Sequence, residues 1–308
     1  MTLDDAISMA CADAGISPPT VRNFGKWMKA DTFSGKNGKG DGRVLINDFS
    51  VIAHNWQTGM TVNVSLTNNL PASVRSEIRQ EVGQQWEKRR AAKAKAEASA
   101  ASIIKAARMS DHPYLARKGF PVEKVLTIDA DGLRGILGGD KPSKYLIAGD
   151  VAIIMPARNG RFIQSLQLIW EDGTKKFLFG GAISGSSHRL CAGSHTWLCE
   201  GLATGLSLRL ALRGIGLSAT VLCCFSASNV GLVASAVKAR GFIAADNDKP
   251  IPQYDGRGAG QYFAEASGKP YTMPVIIGDD FNDMHQRDGI FAVQRHITDF
   301  LREARMTA

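Results

Sequence analysis

The sequence predicts an α/β fold in which helices flank a parallel sheet. The apolar run Thr196–Cys199 reads as a buried strand that ends in Glu200. A second run, Gly241–Ala245, ends in Asp246. Between the two lie a stretch with helical spacing, a β-rich run and another helical stretch. The order strand, helix, strand, helix, strand is typical of a parallel sheet with right-handed crossovers.

The carboxylates after these strands predict a metal site. Glu200, Asp246 and Asp248 follow neighbouring strands, whose carboxyl ends meet at the edge where open α/β sheets bind ligands. Three carboxylates repel one another and have raised pKa values unless a cation lies among them. Because the ligands are all oxygen atoms, a hard ion, Mg²⁺ or Mn²⁺, is expected.

Length and composition narrow the class of protein. The chain has 308 residues, enough for about two compact domains. A net charge of +8 and a pI near 9.3 favour an anionic partner such as nucleic acid. The five cysteines lack the paired spacing of a disulfide framework, and no apolar run approaches membrane-spanning length. We therefore expect a cytoplasmic protein with reduced thiols and no membrane partner.

Residues 1–71 predict a small β-rich module that begins with a helix. Strand-like runs follow a glycine- and lysine-rich loop, residues 35–42, which lacks P-loop spacing. That loop is interpreted as a hairpin, whose lysines are free to contact nucleic-acid phosphates. The runs are Arg43–Asp48, Ser50–His54 and Met60–Leu66.

Residues 72–108 predict one or two long, highly charged helices, because the segment is rich in Ala, Lys, Arg, Glu and Gln. Its basic cluster contains Lys88, Arg89 and Arg90. Two interpretations stay open: a solvated linker helix, or a surface that contacts DNA phosphates.

Residues 109–190 predict a mixed α+β subdomain, and residues 191–308 the α/β domain with an amphipathic C-terminal helix. Turn signals separate three strand-like runs in the mixed segment. The runs are Val151–Met155, Phe162–Trp170 and Lys176–Phe179.

Several motifs in order resemble Toprim-domain DNA primases of plasmids and phages, which have a DnaG-like catalytic core. The Toprim domain is shared by primases, topoisomerases and some nucleases. Glu200-Gly201 at a strand end and Asp246-Asn247-Asp248 at a later one are its signatures. Four further motifs match the plasmid and phage type: His112-Pro113-Tyr114-Leu115 with Lys118-Gly119, Pro156-Ala157-Arg158-Asn159-Gly160 running to Ser165-Leu166-Gln167, Asp172-Gly173-Thr174-Lys175-Lys176-Phe177-Leu178, and Asp280-Phe281-Asn282-Asp283.

The resemblance implies a nucleotidyltransferase that makes short primers on single-stranded DNA in plasmid or phage replication. Asp246 and Asp248 would bind the metal that holds a nucleoside triphosphate. Glu200 would assist deprotonation of the attacking 3′-hydroxyl or orient a second ion. Asp280 and Asp283 would form a third acidic element, whereas Asp279 is open to a capping or loop role.

The resemblance also implies that the mixed subdomain forms one wall of a basic cleft. Candidate contacts to template or nucleotide phosphates are Lys118, Arg158, Arg161, Lys175 and Lys176. A separate replicative helicase is expected as a partner, because no P-loop is found in the sequence. A metal-dependent Toprim nuclease and a non-catalytic DNA-binding adaptor are the alternatives.

A zinc site is not expected, although four residues of zinc-binding type recur at intervals of three or four. Cys199 falls inside the predicted strand before Glu200, where alternate side chains point to opposite faces. The four are His188, Cys191, His195 and Cys199.

Overall fold

A computed structural model describes residues 2–34, 38–66, 71–139, 141–238 and 240–306. The chain forms two compact units. Unit 1 comprises Met1–Ala91 and Ile251–Gly256, and unit 2 comprises Ala92–Pro250 and Arg257–Ala308. None of the helices in the described ranges has the length and apolar character needed to span a membrane. The four-segment division expected from the sequence stays a prediction.

Unit 1 contains a helix packed on a four-stranded antiparallel sheet. Helix α1 is Leu3–Asp13, and Thr2 and Asp5 close its first turn in a capping box. The strands pair in chain order, and their inward side chains form an apolar core with α1. They are β1 (Met28–Ala30), β2 (Gly42–Ile46), β3 (Ser50–Asn55) and β4 (Thr61–Ser65). Residues 35–37 of the predicted glycine- and lysine-rich hairpin lie outside the described residues.

One continuous helix, α2, spans Ala72–Ala106 and contributes residues to both units. Its 35 residues contain no proline, and alanine and long unbranched side chains dominate it, so helix propensity is high throughout. The predicted long charged helix is confirmed. Ile78 is buried with the core of unit 1, and Ile103 is buried in unit 2.

Unit 2 begins with a five-stranded antiparallel sheet in the order β5-β6-β7-β8-β9. The strands are β5 (Arg108–Ser110), β6 (Val125–Asp129), β7 (Val151–Asn159), β8 (Phe162–Trp170) and β9 (Lys175–Phe177). The helices between them are α3 (Pro113–Arg117), α4 (Ala130–Leu137) and α5 (Lys141–Leu146). The three strands predicted in this segment are confirmed, and β7 continues four residues beyond the predicted end.

The second sheet of unit 2 has the order β10-β12-β11-β13-β14 and is parallel except for the antiparallel edge strand β10. Its strands are β10 (His188–Cys191), β11 (His195–Cys199), β12 (Ala219–Cys223), β13 (Gly241–Ala244) and β14 (Tyr271–Thr272). Its helices are α6 (Leu202–Gly214), α7 (Ala227–Ala236), α8 (Ala259–Ala266), α9 (Phe281–Asp288) and α10 (Ile290–Met306).

Helices cover both faces of this sheet. Neighbouring residues of β11 point to opposite faces and therefore contact different helices. Trp197 packs with α6, α9 and α10, whereas Leu198 packs with α7 and α8. The first of these cores also includes Ile153 and Met155 of β7, so the two sheets of unit 2 share apolar contacts. The predicted α/β fold class is confirmed.

Candidate acidic site at the sheet edge

The predicted acids lie at one edge of the parallel sheet. Strands β11 and β13 are adjacent and parallel, with Leu198 opposite Ile243, so their carboxyl ends meet. Glu200 follows the first strand directly, and Asp246 follows the second after one further residue. The expectation that these carboxylates occupy neighbouring strand ends is confirmed.

Glu200 is held in a water-poor, acidic environment. Its Oε1 atom is buried and has no hydrogen-bond partner. Burial, followed by the negative charge of Asp248, raises the pKa of Glu200 from 4.5 to about 7. The backbone N–H of Ala227, at the start of α7, and the charge of Lys175 act in the opposite direction. Glu200 can therefore exchange a proton near neutral pH.

Asp246 is also buried at this sheet edge. Its Oδ1 atom is buried without a hydrogen-bond partner. Burial raises the pKa of Asp246 well above its ordinary range, and the charges of Glu200, Asp280 and Asp248 add to the effect. Four carboxyl groups thus share one electrostatic neighbourhood, and the free energy of ionising them rises with each charge.

Asp248 faces the first turn of α8. Its Oδ2 atom accepts a hydrogen bond of 2.8 Å from the backbone N–H of Gly260. A Cβ atom at Gly260 would lie 2.2 Å from the carbonyl oxygen of Asp246, so only glycine permits this approach. The start of α8 therefore packs directly against the strand end that carries two of the acids.

The third acidic element is also a helix cap. Asp280 is the N-cap of α9: its Oδ1 accepts from the backbone N–H groups of Asn282 and Asp283 at 2.6 and 2.9 Å. In return, Asp283 Oδ2 accepts from the Asp280 N–H, which completes a capping box. The other Asp280 oxygen accepts from the Thr204 hydroxyl at 3.0 Å. Asp279, for which the sequence left a capping role open, instead pairs with Arg287.

The donor set fits a hard divalent cation. As the side chains stand, the described ranges contain no group of three or more His, Cys, Asp or Glu side chains arranged to hold a metal ion. However, Glu200 Oε1 and Asp246 Oδ1 are buried acceptors without donors, and carboxylate charges crowd around them. A cation would satisfy both oxygens and offset the repulsion. Glu200, Asp246 and Asp248 are the candidate ligands, and this ligand set stays a prediction.

Two of the predicted basic contacts adjoin the acids. Lys118 Nζ lies 3.7 Å from Asp283 Oδ1. A Cβ atom built on Gly201, the residue after Glu200, would lie 3.9 Å from Lys175 Nζ. Lys175 is exposed, and its charge lowers the pKa of both Glu200 and Asp246, so it lies within electrostatic reach of both acids.

The other predicted cations lie elsewhere. Arg158 and Arg161 flank the exposed turn between β7 and β8. Lys176 Nζ lies over the ring of Tyr145, 3.9 Å from its centroid. Lys88, Arg89 and Arg90 are exposed on the unit 1 portion of α2, where Arg89 donates to the carbonyl oxygen of Gly25 at 2.6 Å. Their contacts with nucleic acid stay predictions.

The four residues of zinc-binding type are divided between two strands that are not neighbours. His188 and Cys191 belong to β10, and His195 and Cys199 to β11, with β12 between them. Cys199 is buried, as expected for the strand before Glu200. The five cysteines are all free thiols.

Sequence reasoning missed the groups that position the acids. Thr204 supports Asp280 from α6, and the N–H of Ala227 reaches Glu200. Phe225 has a φ angle of 73°, which is uncommon for a residue other than glycine, and its N–H donates to the Glu200 carbonyl at 2.8 Å. Of these groups, only Thr204 could have been identified from the sequence, because it lies in the first turn of the helix that begins after Glu200-Gly201.

A parallel sheet with helices on both faces and acids at its carboxyl edge defines an open α/β domain, the class in which ligands bind at that edge. Comparison with known families agrees: residues 195–290 match the family model of the Toprim domain. The matched segment contains all five predicted metal-site acids, from Glu200 to Asp283.

Two solved structures give distant matches. One is the primase fragment of the bacteriophage T7 primase-helicase, at 15% identity and a TM-score of 0.36; the match covers 49% of this chain and 64% of that one. The chain therefore spans less than two thirds of that fragment. The other is bacteriophage T7 lagging-strand DNA polymerase with the primase domains of two gp4 subunits bound to an RNA/DNA hybrid and dTTP. There the identity is 16% and the TM-score 0.34, with 49% of this chain and 76% of that one covered.

Proposed function

We propose that the protein is a DNA primase that synthesises short primers on single-stranded DNA by metal-dependent nucleotidyl transfer. The observation that carries the proposal is the pair of buried carboxylate oxygens, on Glu200 and Asp246, that lack hydrogen-bond partners inside the matched Toprim segment. The motifs that precede this segment and resemble plasmid and phage primases favour primer synthesis over the other Toprim reactions.

The residues at the sheet edge divide the work of phosphoryl transfer. Asp246 and Asp248, at the end of β13, would hold Mg²⁺ or Mn²⁺. Such an ion would neutralise the triphosphate and the departing pyrophosphate. Glu200, whose pKa is about 7, would accept the proton of the attacking 3′-hydroxyl. Lys175 would orient the nucleotide by pairing with its phosphates.

The test is primer synthesis on circular single-stranded DNA with labelled ribonucleotides and deoxyribonucleotides, in Mg²⁺ or Mn²⁺. Wild type should produce new oligonucleotides. Asp246→Asn should lose about 10²-fold or more of this activity while its circular dichroism spectrum is unchanged, because one carboxylate is removed without loss of volume. Asp131→Asn is the matched control, since Asp131 is exposed and paired with Arg134 on α4, and it should retain full activity.

Other outcomes would overturn the proposal. Metal-dependent shortening of a linear template, with no new oligonucleotides, would assign the protein to the nucleases. Tight DNA binding with neither activity would make it an adaptor. Full primer synthesis by Asp246→Asn would show that the acids are not the catalytic residues.

A further inference from the structure

The four-stranded sheet of unit 1 has one face that α1 leaves uncovered. Side chains alternate along its strands: Val44, Val51 and Ala53 are buried against the helix, whereas their neighbours point outward. The exposed or half-buried residues on the outer side are Lys29, Arg43, Leu45, Ile52, His54, Thr61, Asn63 and Ser65. None of these outward strand residues is acidic, and the carboxylates nearest along the chain, Asp31 and Asp41, lie just beyond β1 and just before β2.

The register aligns the polar members of this face in one row. Lys29 lies opposite Arg43, Arg43 opposite His54, and His54 opposite Thr61, so the row crosses all four strands. His54 Nδ1 and Thr61 Oγ1 are hydrogen-bonded at 2.7 Å. The row thus carries two cations side by side, which repel each other unless an anion lies nearby.

Two exposed tryptophans border the row. Trp27 immediately precedes β1 and is 44% exposed, and Trp56 immediately follows β3 and is 52% exposed. With Arg43, Ile52, His54 and Thr61 they line a cleft of about 480 Å³. That volume lies within the ~300–1,000 Å³ typical of sites for small ligands. The His54 ring meets the Trp56 ring edge to face, with centroids 4.5 Å apart, which fixes the orientation of the indole.

The polar groups of the cleft are incompletely satisfied. Arg43 Nη1 donates to the carbonyl oxygens of Gly40 and Gly42, which hold the side chain in place. His54 Nε2 is buried and has no hydrogen-bond partner. Burial, with a smaller effect of Arg43, lowers the pKa of His54, so its ring is neutral at pH 7 and offers hydrogen bonding rather than charge.

We propose that this surface, the tryptophan face, binds single-stranded nucleic acid. Bases stack on Trp27 and Trp56, and the phosphates between them lie along Lys29 and Arg43. Aromatic planes beside cations are the combination by which proteins hold single strands without sequence preference. The inference goes beyond the proposed function, because it concerns unit 1 and requires neither the acids nor a metal.

The charge distribution favours this occupant over a peptide. A proline-rich peptide also docks on exposed aromatic rings, but it carries no phosphates to pair with Lys29 and Arg43. Duplex DNA meets the charge requirement but keeps its bases inside the stack, where indole rings cannot reach them. An unpaired strand alone uses both the rings and the cations.

The test uses the full-length chain and a fluorescein-labelled oligo(dT), with anisotropy measured in EDTA and without nucleotides. Trp27→Ala and Trp56→Ala should each weaken binding about tenfold, equivalent to ~1.4 kcal/mol. Trp56→Phe should recover most of the affinity, because it keeps an aromatic ring. Trp86→Ala is the matched control: Trp86 is 66% exposed on α2 and is not among the residues that line the cleft, so binding should be unchanged.

Two further measurements separate stacking from charge. An abasic oligonucleotide of equal length should compete at least tenfold less well than oligo(dT). Lys29→Gln should lower the slope of log affinity against log salt by about 0.7, the value for one phosphate contact on a single strand.

The proposal is overturned if wild type does not bind oligo(dT), if both tryptophan variants bind as wild type does, or if the abasic strand competes equally. Binding of a proline-rich peptide that needs Trp27 and Trp56, with oligo(dT) affinity unchanged in the variants, would also overturn it. Binding is measured in EDTA and without nucleotides, so a failure of the catalytic proposal, which is seen in primer synthesis, is distinguished from a failure of this one.

Discussion

At the scale of single residues, two oxygen atoms dominate the acidic site. Glu200 Oε1 and Asp246 Oδ1 are removed from water but receive no hydrogen bond. A buried acceptor without a donor costs about 1–3 kcal/mol, and more when it is charged. A cation or a proton bound to these oxygens would remove that cost.

The raised pKa of Glu200 leads to a pH-dependent stability when divalent ions are chelated. The folded state holds this proton up to a pKa of about 7, whereas the unfolded chain releases it near 4.5. Between these values the folded state binds more protons, so stability falls as pH rises. The contribution is at most about 3 kcal/mol.

Thermal melts in EDTA from pH 5 to 8 measure this effect. The Tm of wild type should fall by several degrees across the range, and Glu200→Gln, which carries no charge, should reduce that fall. Added Mg²⁺ should raise the wild-type Tm at pH 8 and have less effect on the variant. A Tm difference between the two proteins that is constant with pH would contradict the assigned pKa.

At the scale of elements, three helix N-termini meet the acids. The start of α7 donates to Glu200, the first turn of α8 to Asp248, and the first turn of α9 to Asp280. Backbone N–H groups and the positive ends of the helix dipoles thereby offset part of the negative charge. Asp246 depends least on these helices, which agrees with the strong rise of its pKa.

Gly260→Ala tests whether the approach of α8 matters. The new Cβ atom would lie 2.2 Å from the Asp246 carbonyl oxygen, so backbone must move. We expect a loss of about 1–3 kcal/mol in the free energy of unfolding and a drop in primer synthesis. Urea denaturation gives the first value.

Gly135→Ala on α4 is the matched control for this substitution. Its Cβ atom would meet nothing within 4 Å, so it should stabilise the protein by about 0.5–1 kcal/mol. Equal stabilities for the two alanine variants would show that the contact between α8 and the strand end is unimportant.

The elements also show where sequence reasoning works and where it stops. Continuous apolar runs identified β11 and β13, which are buried by helices on both faces of the sheet, and helical spacing identified α6. The antiparallel edge strand β10 was not predicted, because its four residues, His188–Cys191, are too few to show a strand period. Likewise, the pattern Asp280-x-x-Asp283 indicates acids but does not distinguish a capping box from metal ligands, because both uses require the same side chains.

At the scale of the whole molecule, the net charge of +8 is unevenly distributed, with a local acidic cluster in one unit and a local basic surface in the other. Unit 2 gathers four carboxyl groups at one sheet edge, with Lys175 beside them. Unit 1 aligns Lys29 and Arg43 on an uncovered sheet face. Composition predicted a nucleic-acid partner, but the alignment of Lys29 with Arg43 could not be read from the sequence, because it depends on the register between β1 and β2.

We infer that the carboxylates at the ends of β11 and β13 form a divalent-cation site. The direct test is Mn²⁺ binding, followed by electron paramagnetic resonance of the free ion, in wild type, Asp246→Asn, Glu200→Gln and the control Asp131→Asn. We expect saturable binding in wild type and the control, and at least tenfold weaker binding in both site variants. Equal binding by all four proteins, or no saturable binding by wild type, would contradict it.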